Sequence, residues 1–389
     1  MYLTAFLHRD NLFQITNRWL SDRLFEDDAL QISKIITYDS FIAWETLLSF
    51  TQELLSQLCA KPIKQISLSS KKELKDIICQ SAQKKTKRVK KLIKEYKRMP
   101  EFYYVGSPLV GYLYQNKNGE TLGICRFKRL KRIAEKASRY AKLYILEKVE
   151  NKSRKLLKKN GKAVRLSDSI PHEIFLEAEK QEMQRIKRYG VRLPVESMNI
   201  KDILGIKLID NGFGEDGLER ALNQNHGLKI IEKERHRGHY NATHYIVEKK
   251  ILPDDILQNL NSFKSKSVFK QRGLFETNSI SNFSEFFTTC ANNVQIDLIL
   301  TSYDELIESE IGRSMHETRI FEQRDQQRFH GNILTNIEYI IEFLFAVGLS
   351  PTANINEIPI KLWGRYLPDT LSYRIRELYH MPEYSLLFS

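Results

Sequence analysis

Residues 201–209 read KDILGIKLI, a short apolar run that begins with a basic and an acidic residue. Runs of four to eight residues that are rich in Ile and Leu are typical of buried strands. Asp202 opens the run, Gly205 permits the close approach of another group, and Lys207 places a charge within it. The segment therefore predicts a core strand over residues 203–209 with polar side chains at its start and centre.

Further short strands are predicted around this run from apolar and β-branched residues that lie between turn signals. Residues 116–119 (NKNG) predict a turn between the first two of these strands, and the glycine-rich residues 211–217 (NGFGEDG) are interpreted as a loop. The predicted strands are Phe102–Val105, Gly123–Phe127, Ile203–Ile209, Lys229–Glu234, His244–Glu248 and Val294–Leu300.

Helical patterns flank these strands and separate some of them. Near the N-terminus, Ala43–Leu58 has apolar residues at helical spacing, and Lys71–Arg98 forms a long basic amphipathic pattern that ends before Pro100. The predicted helical segments are residues 1–100, 130–160, 172–188 and 317–347.

Strands interleaved with helices, between helical ends, predict an α+β fold with a mixed β-sheet core and helical N- and C-terminal extensions. The length of 389 residues suggests two or three folding units. The predicted divisions are a basic helical region at 1–100, a core at 101–320 with a basic helical insertion at about 137–190, and a helical extension at 321–389.

The positive charge is concentrated in two blocks. The chain has a net charge of +13, yet residues 61–100 carry 14 Lys and Arg against 3 Asp and Glu, and residues 126–165 carry 16 against 3. These blocks contribute +11 and +13, so the rest of the chain is at −11. Local basicity favours a surface that meets polyanions such as nucleotides or RNA, although lysine-rich helices also occur simply as solvated surfaces.

Several function classes are disfavoured by what the sequence lacks. The four cysteines form no CxxC pair, which argues against a disulfide scaffold and a zinc site and fits a reducing cytoplasm. The longest apolar candidate, residues 337–349, is short and contains two glutamates, so we expect no membrane-spanning helix. There is no GxxxxGK[ST] phosphate loop, no convincing GxGxxG motif and no His-Asp dipeptide.

Two further segments carry polar residues within predicted strands. Residues 239–247 read HYNATHYIV after the basic run RHRG, and residues 295–300 read QIDLIL before EIGRSMH at 310–316. Asp297 in an apolar strand needs a partner or a metal. Since carboxylates on two separate strands can jointly hold Mg²⁺, Asp202 and Asp297 are candidate metal ligands for a phosphoryl-type transfer.

The segments, in this order, resemble the synthetase domain of RelA/SpoT-type alarmone synthetases. Residues 202–209 match the family pattern D-[LI]-[IL]-G-[IV]-R-[VI]-I, residues 239–247 match G-Y-x-S-x-H-x-x-V at three positions, and residues 310–316 match E-x-G-x-x-x-H. Upstream, Arg126, Lys128 and Lys136 fit R-x-K-x-x-x-S-x-x-x-K. The resemblance covers roughly residues 100–320.

This resemblance implies a nucleotidyltransferase-like fold and transfer of the β,γ-pyrophosphate of ATP to the 3′-hydroxyl of GDP or GTP, which yields (p)ppGpp. It also implies that Mg²⁺ is bound and that Asp297 could act as base. The implied roles are catalysis and metal binding for Asp202 and Asp297, ATP binding for Arg126, Lys128 and Lys136, and acceptor binding for Tyr240, His244 and Arg237.

The chain departs from the family pattern in ways that bear on the acceptor. Lys207 replaces Arg, Arg132 replaces Ser, Asp297 replaces Glu, and Ile299 and Thr301 replace Gln and Arg. A basic insertion of about 50 residues follows Lys136. The acceptor thus stays open between a guanosine nucleotide and a tRNA 3′ end, as in toxic relatives, and a catalytically inactive nucleotide- or RNA-binding protein is the third alternative.

Overall fold

The computed structural model describes residues 1–60, 62–103, 105–159, 170–238, 241–251, 286, 290–312, 331–350 and 354–381. It is a mixed α+β structure, as the sequence predicts, and its centre is a seven-stranded sheet. The strands are β1 (Tyr2–Leu3), β2 (Ile63–Ser70), β3 (Pro108–Asn116), β4 (Thr121–Phe127), β5 (Asn199–Ile200), β6 (Leu204–Ile209), β7 (Leu228–His236), β8 (Ala242–Lys250) and β9 (Asn293–Thr301).

The main sheet has the strand order β2-β3-β4-β6-β9-β8-β7. Strands β6 and β9 are parallel, and every other neighbouring pair in this sheet is antiparallel. The short strands β1 and β5 pair separately, in parallel. The parallel pair lies at the centre of the order, so β6, which Asp202 precedes by two residues, is the direct neighbour of β9, which carries Asp297.

Helices cover both faces of the sheet. They are α1 (Arg9–Leu20), α2 (Asp28–Lys34), α3 (Ser40–Leu58), α4 (Lys71–Gln80), α5 (Lys87–Arg98), α6 (Leu130–Lys159), α7 (His172–Tyr189), α8 (Gly214–Gln224), α9 (Tyr303–Ile307), α10 (Asn332–Leu349) and α11 (Pro368–Leu378). Two π-helical turns, Ile35–Asp39 and Glu308–Gly312, follow α2 and α9.

Each face of the sheet packs against a different apolar core. The larger core joins one face to α1, α3, α6, α7, α8 and α10, and a row of side chains in register across four strands forms its floor. These are Cys125, Ile206, Leu298 and Tyr245, each at most 1% exposed. The smaller core lies on the opposite face, where α4, α5 and α9 cover β3, β4 and the end of β6.

The N-terminal prediction is wrong in two places. Residues 1–100 are not wholly helical, because Ile63–Ser70 is the edge strand β2 and pairs with β3. The long pattern over Lys71–Arg98 is two helices, α4 and α5. The Ser70 hydroxyl accepts a hydrogen bond from the Glu73 N–H in a capping box, which starts α4 directly after the strand.

Of the other helices and strands, some were predicted correctly, one was predicted wrongly and some were missed. The strands predicted within β4, β6, β7, β8 and β9, the turn at 116–119 and the helices α6 and α7 are confirmed. The strand predicted at Phe102–Val105 is wrong, since Pro100–Tyr103 is a 3-10 helix. Strand β3 and helix α11 were missed, and α8 begins within the glycine-rich segment. Within the helix predicted at 317–347, residues 317–330 lie outside the described residues.

Helix α10 is, of the helices in the described ranges, the one long and apolar enough to cross a membrane. Most of it is buried inside the protein, where it packs against α6 and α2. Its apolar surface is therefore buried in the larger core.

The basic insertion also contributes to the larger core. Helix α6 buries one face, from Ile133 to Leu157, against α7 and α10. The carboxylate of Glu182 in α7 is 4% exposed and accepts hydrogen bonds from Arg185 (2.6 Å) and Lys152 (3.4 Å). Part of the positive charge in this insertion is thus neutralised within the fold.

Candidate active site

The candidate site lies on the sheet face that carries the smaller core. Arg126 on β4, Gly205 on β6 and Asp297 on β9 are in register across three adjacent strands. Because Gly205 has no side chain, the stem of Arg126 lies across it, and a Cβ at this glycine would be 3.6 Å from the Arg126 Cγ. A basic and an acidic side chain therefore flank a gap above the central strand.

Asp202 lies two residues before β6 and is held by two lysines. The Asp202 carboxylate accepts a hydrogen bond from Lys128, and its other oxygen accepts one from Lys136 Nζ at 2.9 Å. Lys128 follows β4 and Lys136 lies in the second turn of α6, so three elements meet at this carboxylate. Burial would raise the pKa of Asp202, but the charges of the two lysines outweigh it and hold that pKa below its usual value.

Asp297 differs from Asp202 in that its pKa is raised above the usual value. Burial raises the pKa of Asp297 to about 6, and the negative charge of Asp202 adds to the rise. The nearest imidazole is that of His244 on β8, with Nδ1 3.9 Å from Asp297 Oδ1. Burial and the neighbouring His236 lower the pKa of His244 to about 4, so this imidazole is neutral at physiological pH.

Lys207 is balanced by a buried glutamate. Its side chain is 8% exposed and donates hydrogen bonds to Ser309 Oγ at 3.0 Å and to Glu310 Oε1 at 3.3 Å. Glu310 Oε1 also lies 3.6 Å from Nη1 of Arg126. Burial would raise the pKa of Glu310, but the charges of Lys207 and Arg126 lower it to about 2. Glu310 is thus a fixed anion that links the site to the Glu308–Gly312 turn.

Sequence reasoning missed two lysines from α4. Lys75 Nζ donates a hydrogen bond to the backbone carbonyl of Glu310 at 2.5 Å and is 4% exposed. Burial lowers the pKa of Lys71 to about 8, and the nearby charge of Glu310 opposes this shift. The available signal was the spacing of four residues between the lysines, which places both on one side of a helix.

The remaining predicted residues fall into two groups. Tyr240 and His316 lie outside the described residues. Arg237 is exposed directly after β7, and no described contact joins it to Asp202 or Asp297. The structure therefore brings together Arg126, Lys128, Lys136, Asp202, Asp297 and His244, and it adds Lys207, Glu310, Lys71 and Lys75.

The two aspartates suit Mg²⁺ as a pair of ligands. Mg²⁺ is commonly bound through one or two carboxylates, with water and substrate phosphates completing its shell. The negative charge of Asp202 adds to the rise that burial causes in the pKa of Asp297, and a divalent cation bound by both carboxylates would relieve this repulsion. Among the described residues no group of three or more His, Cys, Asp or Glu side chains could hold a metal by itself.

This arrangement can bind a phosphate-rich ligand and move a proton. At least six cationic side chains surround three carboxylates, and a carboxylate with a pKa of about 6 can accept a proton near neutral pH.

Comparison of the chain with family models, with curated proteins and with solved structures finds no match.

Proposed function

We propose that this protein is a Mg²⁺-dependent pyrophosphokinase that transfers pyrophosphate from ATP to the ribose 3′-hydroxyl of a guanosine nucleotide, GDP or GTP. The observation that carries the proposal is the convergence of Lys128 and Lys136 on Asp202 just before β6, beside Asp297 on the neighbouring strand β9. These are also positions at which the sequence resembles RelA/SpoT-type synthetases. The mixed sheet is compatible with the nucleotidyltransferase-like core expected of that family.

The chemical step is a displacement at the β-phosphorus of ATP. The acceptor 3′-oxygen forms a bond to this phosphorus, and the bond from the phosphorus to the α,β-bridging oxygen breaks. AMP leaves with that oxygen, and the proton of the 3′-hydroxyl passes to the carboxylate of Asp297, which acts as the general base. Bound Mg²⁺, held by Asp202 and Asp297, would neutralise charge on the phosphate oxygens.

The chain's own cations position the nucleotides in this proposal. Lys128 and Lys136, which both donate hydrogen bonds to Asp202, would turn to phosphate oxygens of the nucleotide, and Asp202 would then be available to hold Mg²⁺. By the family resemblance, Arg126 stacks on adenine and Tyr240 on the acceptor base, while His244 lies beside the acceptor. A planar guanidinium and a tyrosine ring both suit stacking on a purine.

A tRNA 3′ end is the second candidate acceptor. The observation that favours it is the excess of exposed positive charge on α5, which packs along the same turn that carries Glu310. A mononucleotide needs only a few cations, whereas RNA binding is strengthened by a long basic surface.

The test is label transfer from γ-labelled ATP in the presence of Mg²⁺, with GDP, GTP or bulk tRNA offered separately. The proposal expects label in GDP or GTP together with an equal amount of AMP, and none with Asp297→Asn. Label in tRNA alone would establish the second acceptor, and formation of ADP in place of AMP would overturn pyrophosphate transfer. Inertness with retained nucleotide or RNA binding would identify a catalytically inactive relative.

A further inference from the structure

Helix α5 separates its apolar and basic residues completely. Val89, Ile93 and Tyr96 are buried in the smaller core and occupy one side of the helix. At 3.6 residues per turn the basic residues form a stripe on the opposite side, about 17 Å long. This stripe, which we call the α5 face, consists of Lys87, Lys90, Lys91, Lys94, Lys97 and Arg98, all exposed.

The charges of the α5 face are almost entirely unneutralised by the fold. Lys91 Nζ lies 3.9 Å from Glu95 Oε1, and the described part of the chain offers the other five residues no carboxylate at ion-pair distance. Lys152 of α6, by contrast, pairs with the buried Glu182 of α7. A positive surface without internal partners is suited to an external polyanion.

The α5 face cannot act by inserting into a membrane. Basic amphipathic helices bind lipid surfaces by burying their apolar side among the acyl chains. In α5 that side is already occupied, since Val89 and Tyr96 are each 1% exposed and Ile93 is 8% exposed. Only the charged side of α5 is accessible, so this face is suited to contacts with anionic groups.

An exposed aromatic ring stands at the end of the α5 face. Phe102 lies in the 3-10 helix Pro100–Tyr103 and is 72% exposed, and Met99 beside it is 41% exposed. The adjacent Tyr103 anchors this turn, because its ring packs edge-on against Tyr96 with centroids 5.3 Å apart. Aromatic rings next to basic surfaces bind single-stranded nucleic acids by stacking on their bases.

The α5 face is connected to the candidate active site. Arg88 pairs with Glu308, with Nη2 donating to Oε2 at 3.2 Å, and α5 packs along the Glu308–Gly312 turn. The same turn carries Glu310, which contacts Lys207 and Arg126. The α5 face and the candidate site are therefore linked through one helix and one turn, and this turn packs on the side of α5 opposite to the basic stripe.

We propose that the α5 face and Phe102 together form a binding surface for single-stranded RNA. The lysines hold consecutive phosphates, and Phe102 stacks on a base at one end of the bound segment. This surface is independent of the proposed reaction, since it consists of residues outside the site and is defined by binding alone.

The test measures binding of a fluorescent 12-nucleotide single-stranded RNA to the full-length protein across a range of salt concentrations. One variant changes Lys87, Lys90, Lys94 and Lys97 to Gln, which preserves helix propensity. The matched control variant changes four exposed lysines of the insertion, Lys155, Lys158, Lys159 and Lys180, to Gln and so removes the same charge.

The α5 variant should bind RNA at least tenfold more weakly, and the slope of log K against log salt should fall by about 2.8, since each lost phosphate contact of a single strand contributes about 0.7. The control variant should retain both affinity and slope. Equal losses in the two variants would show that only total charge matters, and an unchanged α5 variant would place RNA binding elsewhere. Either result overturns the proposal.

A second variant separates RNA from other polyanions. Phe102→Ala should weaken RNA binding about tenfold without changing the salt slope, because stacking does not depend on counterion release. Binding of heparin, which has no bases, should be unaffected by this substitution. Equal loss for heparin and RNA, or binding to phosphatidylserine vesicles in preference to RNA, would contradict the proposal.

Discussion

Asp297 and Leu298 are adjacent on β9, and their side chains leave the sheet on opposite faces. Leu298 is fully buried against the larger core, whereas the Asp297 carboxylate is 19% exposed and its pKa is raised to about 6. The same alternation separates Cys125 from Arg126 and Ile206 from Lys207. At these central strands one face of the sheet is therefore apolar and packs in the larger core, whereas the opposite face, beside the smaller core, carries charged groups whose protonation is set by burial and by the charges of their neighbours.

The largest expected effect comes from breaking the buried ion pair on the charged face. Glu310→Gln leaves Lys207 buried without its anion, and removing one partner of such a pair costs about 3–5 kcal/mol of unfolding free energy. Urea unfolding measures this loss. The matched control is Glu308→Gln on the same turn, whose partner Arg88 is exposed, and it should change stability little. If Glu310→Gln were as stable as Glu308→Gln, the buried ion pair of the charged face would contribute nothing to the free energy of unfolding.

The packed face is tested at the neighbouring residue of β9. Leu298→Ala should reduce the free energy of unfolding by about 2–5 kcal/mol, because it removes buried methyl groups and leaves a cavity in the larger core. Catalysis by the molecules that remain folded should be unchanged. A loss of activity without a loss of stability would contradict the division between the two faces.

Substitution of the two proposed catalytic aspartates should have the reverse effect, with activity lost and stability retained. Asp202→Asn and Asp297→Asn should each lower pyrophosphate transfer at least about 100-fold, roughly 3 kcal/mol in the activation barrier by analogy with other preorganised electrostatic groups. Circular dichroism and urea unfolding should show that the fold is retained. Full turnover in either variant would remove that aspartate from the proposed site.

The smallest expected effect is a dependence of stability on pH at Asp297. Its pKa in the folded protein is raised to about 6, so this group favours folding at low pH and loses that contribution as pH rises towards 6. The loss amounts to roughly 2–3 kcal/mol, and Asp297→Asn should abolish it. Unfolding measured between pH 4 and pH 7 checks the sign, and Mg²⁺ should oppose the loss in the unsubstituted protein. If Asp297→Asn showed the same dependence of unfolding free energy on pH as the unsubstituted protein, Asp297 would not be the titrating group.

The central strands could be predicted from sequence because their patterns are local. The apolar runs around Gly205 and Asp297 are typical of strands by themselves, and a carboxylate at each of two separate predicted strands implied a polar site, although the sequence did not show that these strands are neighbours. Strand β2 could not be predicted in this way, because its exposed and partly buried residues Ile63–Ser70 depend on pairing with β3. An edge strand of this kind is stabilised by tertiary contacts that a single segment does not reveal.

The lysines of α4 were missed for a related reason. With residues 1–100 interpreted as a separate basic region, Lys71 and Lys75 had no assigned neighbour. Their position beside Glu310 follows from two long-range pairings, β2 with β3 and α5 with the Glu308–Gly312 turn. By contrast, the spacing of Arg126, Lys128 and Lys136 was visible in the sequence, and Lys128 and Lys136 do converge on Asp202.

The position of α10 in the larger core has a consequence for synthesis on the ribosome. Ser33 at the end of α2 donates a hydrogen bond to the carbonyl of Val347, 314 residues further along the chain. At 5–20 residues per second, roughly 15–60 s separate the emergence of these two segments. Until α10 is made, the apolar sides of α1 and α2, and later that of α6, lack this partner, whereas every described residue of the candidate site, up to Glu310, precedes α10 in the chain. We therefore expect the nascent chain to expose apolar helix surfaces, of the kind that chaperones shield, until α10 emerges.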